Sequence, residues 1–224
     1  MEMFSSVQGE GPYAGVRQVF VRFFECNIHC VWCDTPASIG DTARNYRTMT
    51  LDEVFADIRR LWKNDHSVSL TGGEPMLQTP FLKELIGLLK KNKMPVYLET
   101  NGIFHEELQQ IIADVDHIAM DIKMPSSAKT RPFWDEHEKF LQTAVQTDVF
   151  VKAVVSGDTD KEDLIRAVDL VKRAAPRTLL VLQPNTYELK SGVMEKCLEF
   201  HEYALTRLPR TRVMPQMHKF MKIA

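Results

Sequence analysis

The sequence predicts an α/β fold: a parallel sheet of about six strands wound into an incomplete, laterally open β/α barrel. Two observations carry this reading. Short apolar, β-branched runs alternate along the chain with longer segments of helical period, the order that a parallel sheet with helical crossovers requires. The 224 residues hold about six such units, fewer than a full eight-fold barrel of roughly 250 residues needs. An open doubly wound sheet is the competing arrangement. Residues 1–224 read as one domain, with a cysteine-bearing loop at 26–33.

In chain order, the run at 19–24 is β-branched and aromatic and reads as the first strand. A helix is expected over 51–62, because Thr50 followed by Glu53 forms a capping-box pattern. A strand at 67–70 and a helix at 81–91 follow, then a strand at 96–98 and a helix at 106–113. The next pair is a strand at 117–121 and a helix at 134–147. A strand at 149–155 precedes a helix at 160–175, whose start is marked by the acids between Asp158 and Glu162. The last strand is expected at 179–182 and the last helix over 191–208.

In either arrangement the carboxyl ends of parallel strands converge on the face where ligands bind. The chemically distinctive residues fall there. Cys26 follows the first predicted strand, residues 71–75 the second, and residues 99–102 the third. Residues 121–123, Ser156 and residues 183–185 follow the later ones.

Composition narrows the classes. Hydrophobic residues at 44% and charged residues at 26% are those of a globular chain. A formal net charge of −2 gives no general drive toward nucleic acid or an anionic membrane. No apolar run approaches the roughly 18–20 residues of a membrane span, and the first twelve residues lack a secretory pattern. A cytoplasmic protein is expected, with cysteines suited to metal or redox chemistry rather than disulfides.

Three of the four cysteines stand in the segment Cys26-Asn27-Ile28-His29-Cys30-Val31-Trp32-Cys33. These spacings let one loop wrap three thiolates around one inorganic centre. Iron–sulfur cubanes ordinarily take four thiolates, so three leave one iron for an external ligand. A structural zinc held with His29 is the other reading. Against it, His29 adjoins Cys30 and no second Cys/His pair follows at zinc-finger spacing. Cys197, beside Leu198 and Phe200, reads as a core residue.

The CxxxCxxC arrangement with Trp32 before its last cysteine resembles the signature of the radical S-adenosylmethionine (SAM) superfamily. Thr71-Gly72-Gly73-Glu74-Pro75 resembles that superfamily's GGEP element. Segments along the whole chain are similar to the 7-carboxy-7-deazaguanine synthase family: residues 8–12 (QGEGP), Val21 and Arg22, Cys33-Asp34-Thr35, residues 99–102 (ETNG), 121–127 and 215–220. The resemblance implies a partial barrel of the radical SAM type with a [4Fe–4S] cluster, SAM and Mg²⁺ as cofactors. It also implies conversion of 6-carboxy-5,6,7,8-tetrahydropterin to 7-carboxy-7-deazaguanine with loss of ammonia, on the route to queuosine and related deazapurines. A homodimer and an external electron donor such as a flavodoxin or ferredoxin are implied as well.

Carried over position by position, Cys26, Cys30 and Cys33 hold the cluster and Thr35 ligates Mg²⁺, with Asp34 ranked behind it. Gly73, Glu74, Asn101, Ser156 and Gln183 contact SAM. Gln8 and Glu10 take the pterin edge, since a carboxylate accepts two N–H bonds from a guanidine-like edge. Arg22 or His218 takes the substrate carboxylate. No side chain is assigned as an acid or base of the reaction. Glu10 could instead be a turn residue, and Arg22 an exterior strand arginine. Met217 stands where the family more often has threonine, which bears on His218. Two rival classes remain: an activase that abstracts hydrogen from a partner protein, and a non-catalytic zinc or iron–sulfur module. Neither needs both the QGEG and the PQxHK segments.

Overall fold

The computed structural model describes residues 1–40 and 47–223. Its strands are β1 (Glu2–Val7), β2 (Arg17–Phe23), β3 (Ser67–Gly72), β4 (Val96–Thr100), β5 (His117–Ile122), β6 (Asp148–Val155), β7 (Leu179–Pro184) and β8 (Thr211–Val213). The helices are α1 (Leu51–Leu61), α2 (Thr79–Lys91), α3 (His105–Gln109), α4 (Pro125–Ala128), α5 (Trp134–Ala144), α6 (Lys161–Ala174), α7 (Val193–Leu205) and α8 (Met217–Met221). The expected connection from Cys33 to the first helix includes residues 41–46, which lie outside the described residues.

All eight strands form one sheet in sequential order, β1 to β8. Only β1 runs antiparallel to its neighbour; β2 through β8 are parallel. A doubly wound sheet must reverse its order at a switch point, and this one never does. The strands therefore wrap one way, as a partial barrel with edges at β1 and β8.

The sheet corrects the expectation of about six strands. β1 was unreadable because its half-buried, mixed sequence lacks alternation, and β8 spans only three residues. The expected helix at 106–113 is also shorter, ending at Gln109 before a separate 3₁₀ turn over Ile112–Asp114. The capping box stands as expected: Thr50 Oγ1 accepts from Glu53 N, and the Glu53 carboxylate accepts from Thr50 N.

Strand alternation sorts the side chains into two layers. Val19, Val21, Val68, Leu70, Leu98, Ile118, Met120, Val151 and Leu182 are buried against apolar residues of the helices, including Leu85, Phe140, Val168 and Phe200. The alternate residues face inward. Tyr97, Phe150, Leu179 and Val181 make a small apolar plug with Tyr13, Ala119 and Met214. Around and beyond that plug the inward positions are polar, namely Arg22, Thr71, Glu99, Asp121, Lys152 and Gln183.

Candidate active site

Backbone contacts that only glycine allows fix the cysteine loop to the sheet. Gly73 N donates to Phe23 O (3.1 Å), Glu74 N to Glu25 O (2.8 Å), and Glu25 N to Ser38 O (2.8 Å). A Cβ on Gly73 would stand 2.0 Å from Glu25 O, and one on Gly72 (φ 136°) 2.2 Å from Phe23 O. The paired glycines thus serve first to let the β3 end lie against the loop's own backbone. Further along, Trp32 Nε1 donates to Ser127 Oγ (3.1 Å), and the Lys123 ammonium lies 4.7 Å from the centre of the Trp32 ring.

Cys26, Cys30 and Cys33 are free thiols lining one cavity. Burial pushes the Cys26 thiol up to about 11 and raises that of Cys30. Both are poor nucleophiles as they stand, and a metal would be needed to draw off their protons. Cys197 is fully buried on α7 among apolar side chains, as expected.

The rest of the cavity wall is a network of charges and amides. Lys152 Nζ is paired with Glu10 and, at 3.3 Å, with Asp121 Oδ2; Lys123 Nζ reaches the same Asp121 oxygen at 2.8 Å. Burial opposes the charge on Asp121, but the two lysines hold its carboxyl below the usual range. Burial likewise opposes the charge on Lys152, while Glu10 and Asp121 raise its ammonium well above the ordinary value. Glu99 accepts from Gln8 Nε2 (2.8 Å), Thr71 Oγ1 (2.8 Å) and Ser69 Oγ (3.2 Å).

The two ends of the chain meet at this wall. Met217 N donates to Gly9 O (2.8 Å), and the His218 ring lies so close to Gly9 that a Cβ there would fall 2.2 Å from Nδ1. Gln216 Nε2 donates to Glu10 Oε1 (2.7 Å) and Asp34 Oδ2 (2.9 Å). His218 Nε2 and Lys219 Nζ stand 3.8 and 3.6 Å from that Asp34 oxygen. Burial would raise the Asp34 carboxyl; His218, Lys152, Lys219 and Gln216 together hold it far below the usual carboxylate range.

Of the residues singled out from sequence, Gln8, Glu10, Arg22, Cys26, Cys30, Cys33, Thr35, Gly73, Asn101, Gln183 and His218 all line this cavity. Arg22 does so while pairing with Glu2 (3.0 Å) and lying over the Phe4 ring. Thr35 Oγ1 is 3.9 Å from Cys33 Sγ. Glu74 and Ser156 stand behind the wall. The Glu74 carboxylate accepts from Asn101 N (2.7 Å), Thr100 Oγ1 (2.9 Å) and Met76 N (3.1 Å), and burial raises it to about 7. Ser156 N donates to Thr159 Oγ1 (2.8 Å).

The sequence marks residues 99–102, 121–123 and 215–220 as segments but gives Glu99, Lys123 and Gln216 no role, and it misses Lys152 altogether. The available signal for Lys152 was a lone cation in an otherwise apolar strand, in step with Phe150 and Val154. Three buried acceptors on the cavity wall, Asn101 Oδ1 (apart from its amide nitrogen's bond to Asn27), Asp121 Oδ1 and Gln183 Oε1, have no partner among the described residues. Buried polar atoms are seldom left unpaired, so these three are unsatisfied acceptors in the cavity wall.

Residues 21–189 match the model of the radical SAM superfamily. The chain is 39% identical to a 7-carboxy-7-deazaguanine synthase of Geobacter sulfurreducens over 98% of this chain and 95% of that protein. It is 31% identical to one from Archaeoglobus fulgidus, over 100% and 97%. Its fold is similar to the crystal structure of QueE from Escherichia coli, with a TM-score of 0.66 at 21% identity, covering 97% of this chain and 92% of that one.

Proposed function

The chain belongs to the radical SAM superfamily and, within it, to the 7-carboxy-7-deazaguanine synthase family, and from that premise we propose how its residues divide the work. The enzyme is a carbon–nitrogen lyase of deazapurine biosynthesis, converting 6-carboxy-5,6,7,8-tetrahydropterin to 7-carboxy-7-deazaguanine with loss of ammonia.

The donor set fits a [4Fe–4S] cluster: three free thiols line one cavity, and the fourth cysteine, Cys197, is buried in the core away from it. Bound there, the cluster would supply the one-electron reductive chemistry toward SAM on which the family's reaction depends. Cys26, Cys30 and Cys33 hold the metal. The Gly73 backbone, Asn101 and Gln183 take up SAM. Glu74 and Ser156 act from behind, Glu74 by fixing the Asn101 backbone and Ser156 by fixing the turn after β6. Gln8 and Glu10 receive the donor-rich edge of the pterin, while Arg22 and His218 take its carboxylate. Thr35 offers a hard oxygen to Mg²⁺, which needs few protein ligands, with Asp34 adjacent.

The carrying observation is the open set of buried acceptors beside the three thiols. A flat, N–H-rich substrate and a hydroxyl-rich cofactor answer it. An activase or a bare metal module leaves unexplained why residues 8–10 and 216–218 converge on this cavity.

The continuous sheet and the breadth of the family match support a single domain over 1–224. Free cysteines support a cytoplasmic setting, and no helix among the described residues is long and apolar enough to cross a membrane. The exposed Val31, in sequence between Cys30 and Cys33, offers an approach for a flavodoxin- or ferredoxin-like electron donor. A homodimer is the assembly that the family resemblance implies.

The test is an anaerobic assay of the reconstituted enzyme with SAM, dithionite, Mg²⁺ and the tetrahydropterin. Formation of 7-carboxy-7-deazaguanine, abolished by Cys30→Ala, is expected. SAM cleavage without that product would reject the substrate assignment.

A further inference from the structure

We propose that Gln216 is a positioning residue for the pterin-binding carboxylate of Glu10, acting as a clamp between the two ends of the chain; this deepens the proposed role of Glu10 and rests on it. Gln216 is buried, and its carboxamide is used at both ends. The amide nitrogen donates to Glu10 Oε1 at 2.7 Å and to Asp34 Oδ2 at 2.9 Å, and its oxygen accepts from Thr186 Oγ1 at 2.6 Å. Chemistry fixes this orientation. An ionised carboxylate only accepts, so a flipped amide would set its oxygen against two carboxylate oxygens at hydrogen-bond range.

The clamp answers a specific difficulty. The side chains of Glu10, Asp34 and His218 approach so closely that an oxygen from each acid and a ring nitrogen all lie within 4.8 Å of one another. Two carboxylates so close repel each other. Gln216 is the group that donates to both through one nitrogen, holding them apart at a set distance.

It also decides where Glu10 points. Lys152 holds Oε2, and Oε1 is held by Gln216 at 2.7 Å, with Gln183 at a marginal 3.5 Å. Two strong donors on different oxygens define the plane of the carboxylate. With Lys152 and only the marginal Gln183 contact left, the group can pivot about Oε2. A carboxylate has about four acceptor positions, so this arrangement still leaves room for the substrate's N–H groups, now aimed. The strap that carries Gln216 is anchored at Gly9 O by Met217 N, one residue from Glu10.

The experiment is a kinetic double-mutant cycle on the reconstituted enzyme, using Gln216→Leu, Glu10→Gln and the pair, with Gln216→Glu alongside. Gln216→Leu is expected to raise KM for the tetrahydropterin about tenfold, while leaving KM for SAM and SAM cleavage in the absence of pterin within about twofold. On the Glu10→Gln background the same substitution is expected to add less than about twofold, since residues acting through one another are not additive. Gln216→Glu, which sets a third carboxylate against the other two, is expected to be at least as harmful as leucine. Thr186→Val, which frees the far end of the amide, is expected to raise KM for the pterin by a smaller factor and so covers the case in which leucine disturbs folding. Unchanged KM in Gln216→Leu, or fully independent effects of the two substitutions, would overturn the clamp. Unchanged KM in Glu10→Gln would instead remove the reading of Glu10 on which it stands.

Discussion

Lys152 occupies a place where a lysine is costly unless it is matched. Its ammonium lies inside the barrel between the carboxylates of Glu10 and Asp121, with only 16% of its side chain exposed. Lys123 shares Asp121 at 2.8 Å, so two lysines face two acids and the group is neutral. Removing one partner of a buried pair leaves an uncompensated charge and typically costs about 3–5 kcal/mol, far more than losing both. Lys152→Met is therefore expected to lower unfolding stability by about 3 kcal/mol, measured by anaerobic urea titration. Lys152→Met combined with Glu10→Gln, which restores neutrality, is expected to recover at least about 1 kcal/mol of that loss. A single variant as stable as the parent would mean that water reaches these charges. The pairing itself was not legible in the sequence: the lone cation in an apolar strand is visible there, but its partners Glu10 and Asp121 appear only once the register turns it inward.

The cluster loop and the end of β3 behave as one element, and the reason is backbone contact rather than side-chain packing. At Gly73 a methyl group would meet Glu25 O at 2.0 Å and Ser38 O at 2.6 Å, atoms that cannot swing aside as a side-chain tip can. Gly73→Ala is expected to push the loop off the sheet and to lower the iron bound per chain after anaerobic reconstitution to less than half. Gly87→Ala is the contrast: it sits in α2 with nothing within 4 Å of the added carbon, so it is expected to keep full iron and gain about 0.5–1 kcal/mol in stability. Full iron in Gly73→Ala would show that the loop tolerates displacement. At this scale the sequence was more informative. The cysteine spacing, the Gly72–Gly73 pair and the Thr50–Glu53 capping box each depend on neighbours a few residues away: the three thiols line one cavity, the glycines pack on backbone and the box forms. What stayed hidden were β1, whose half-buried sequence lacks alternation, β8, which spans only three residues, and the meeting of Glu10 with Gln216, a contact between the two ends of the chain that leaves no local pattern.

For the molecule as a whole, stability below neutral pH is set by buried groups pulling in opposite directions. His137 on α5 is fully buried; its Nε2–H donates to Asn101 O at 3.0 Å, and Nδ1 has no partner among the described residues. Burial lowers its pKa to about 4, against about 6.5 for an exposed histidine. Between those values the unfolded chain binds the extra proton, so this group makes the fold lose stability as pH falls, by about 2 kcal/mol between pH 7 and pH 5. Glu74 works the other way. Burial raises it to about 7, so in the same window the folded chain takes up the proton and gains stability of similar size. Asp34 and Asp121, held below the usual range by their cationic neighbours, shed their contributions only below about pH 4. The parent's own pH profile is thus expected to be shallow between pH 7 and 5, and a difference is needed to expose the parts. His137→Gln keeps a donor for Asn101 O but cannot titrate. Its stability relative to the parent, from urea titrations at pH 7 and pH 5, is expected to improve by about 2 kcal/mol on acidification. A difference that stays constant across the two pH values would mean that His137 is protonated in the fold, and that the bond between α5 and the end of β4 is not the neutral contact its burial demands.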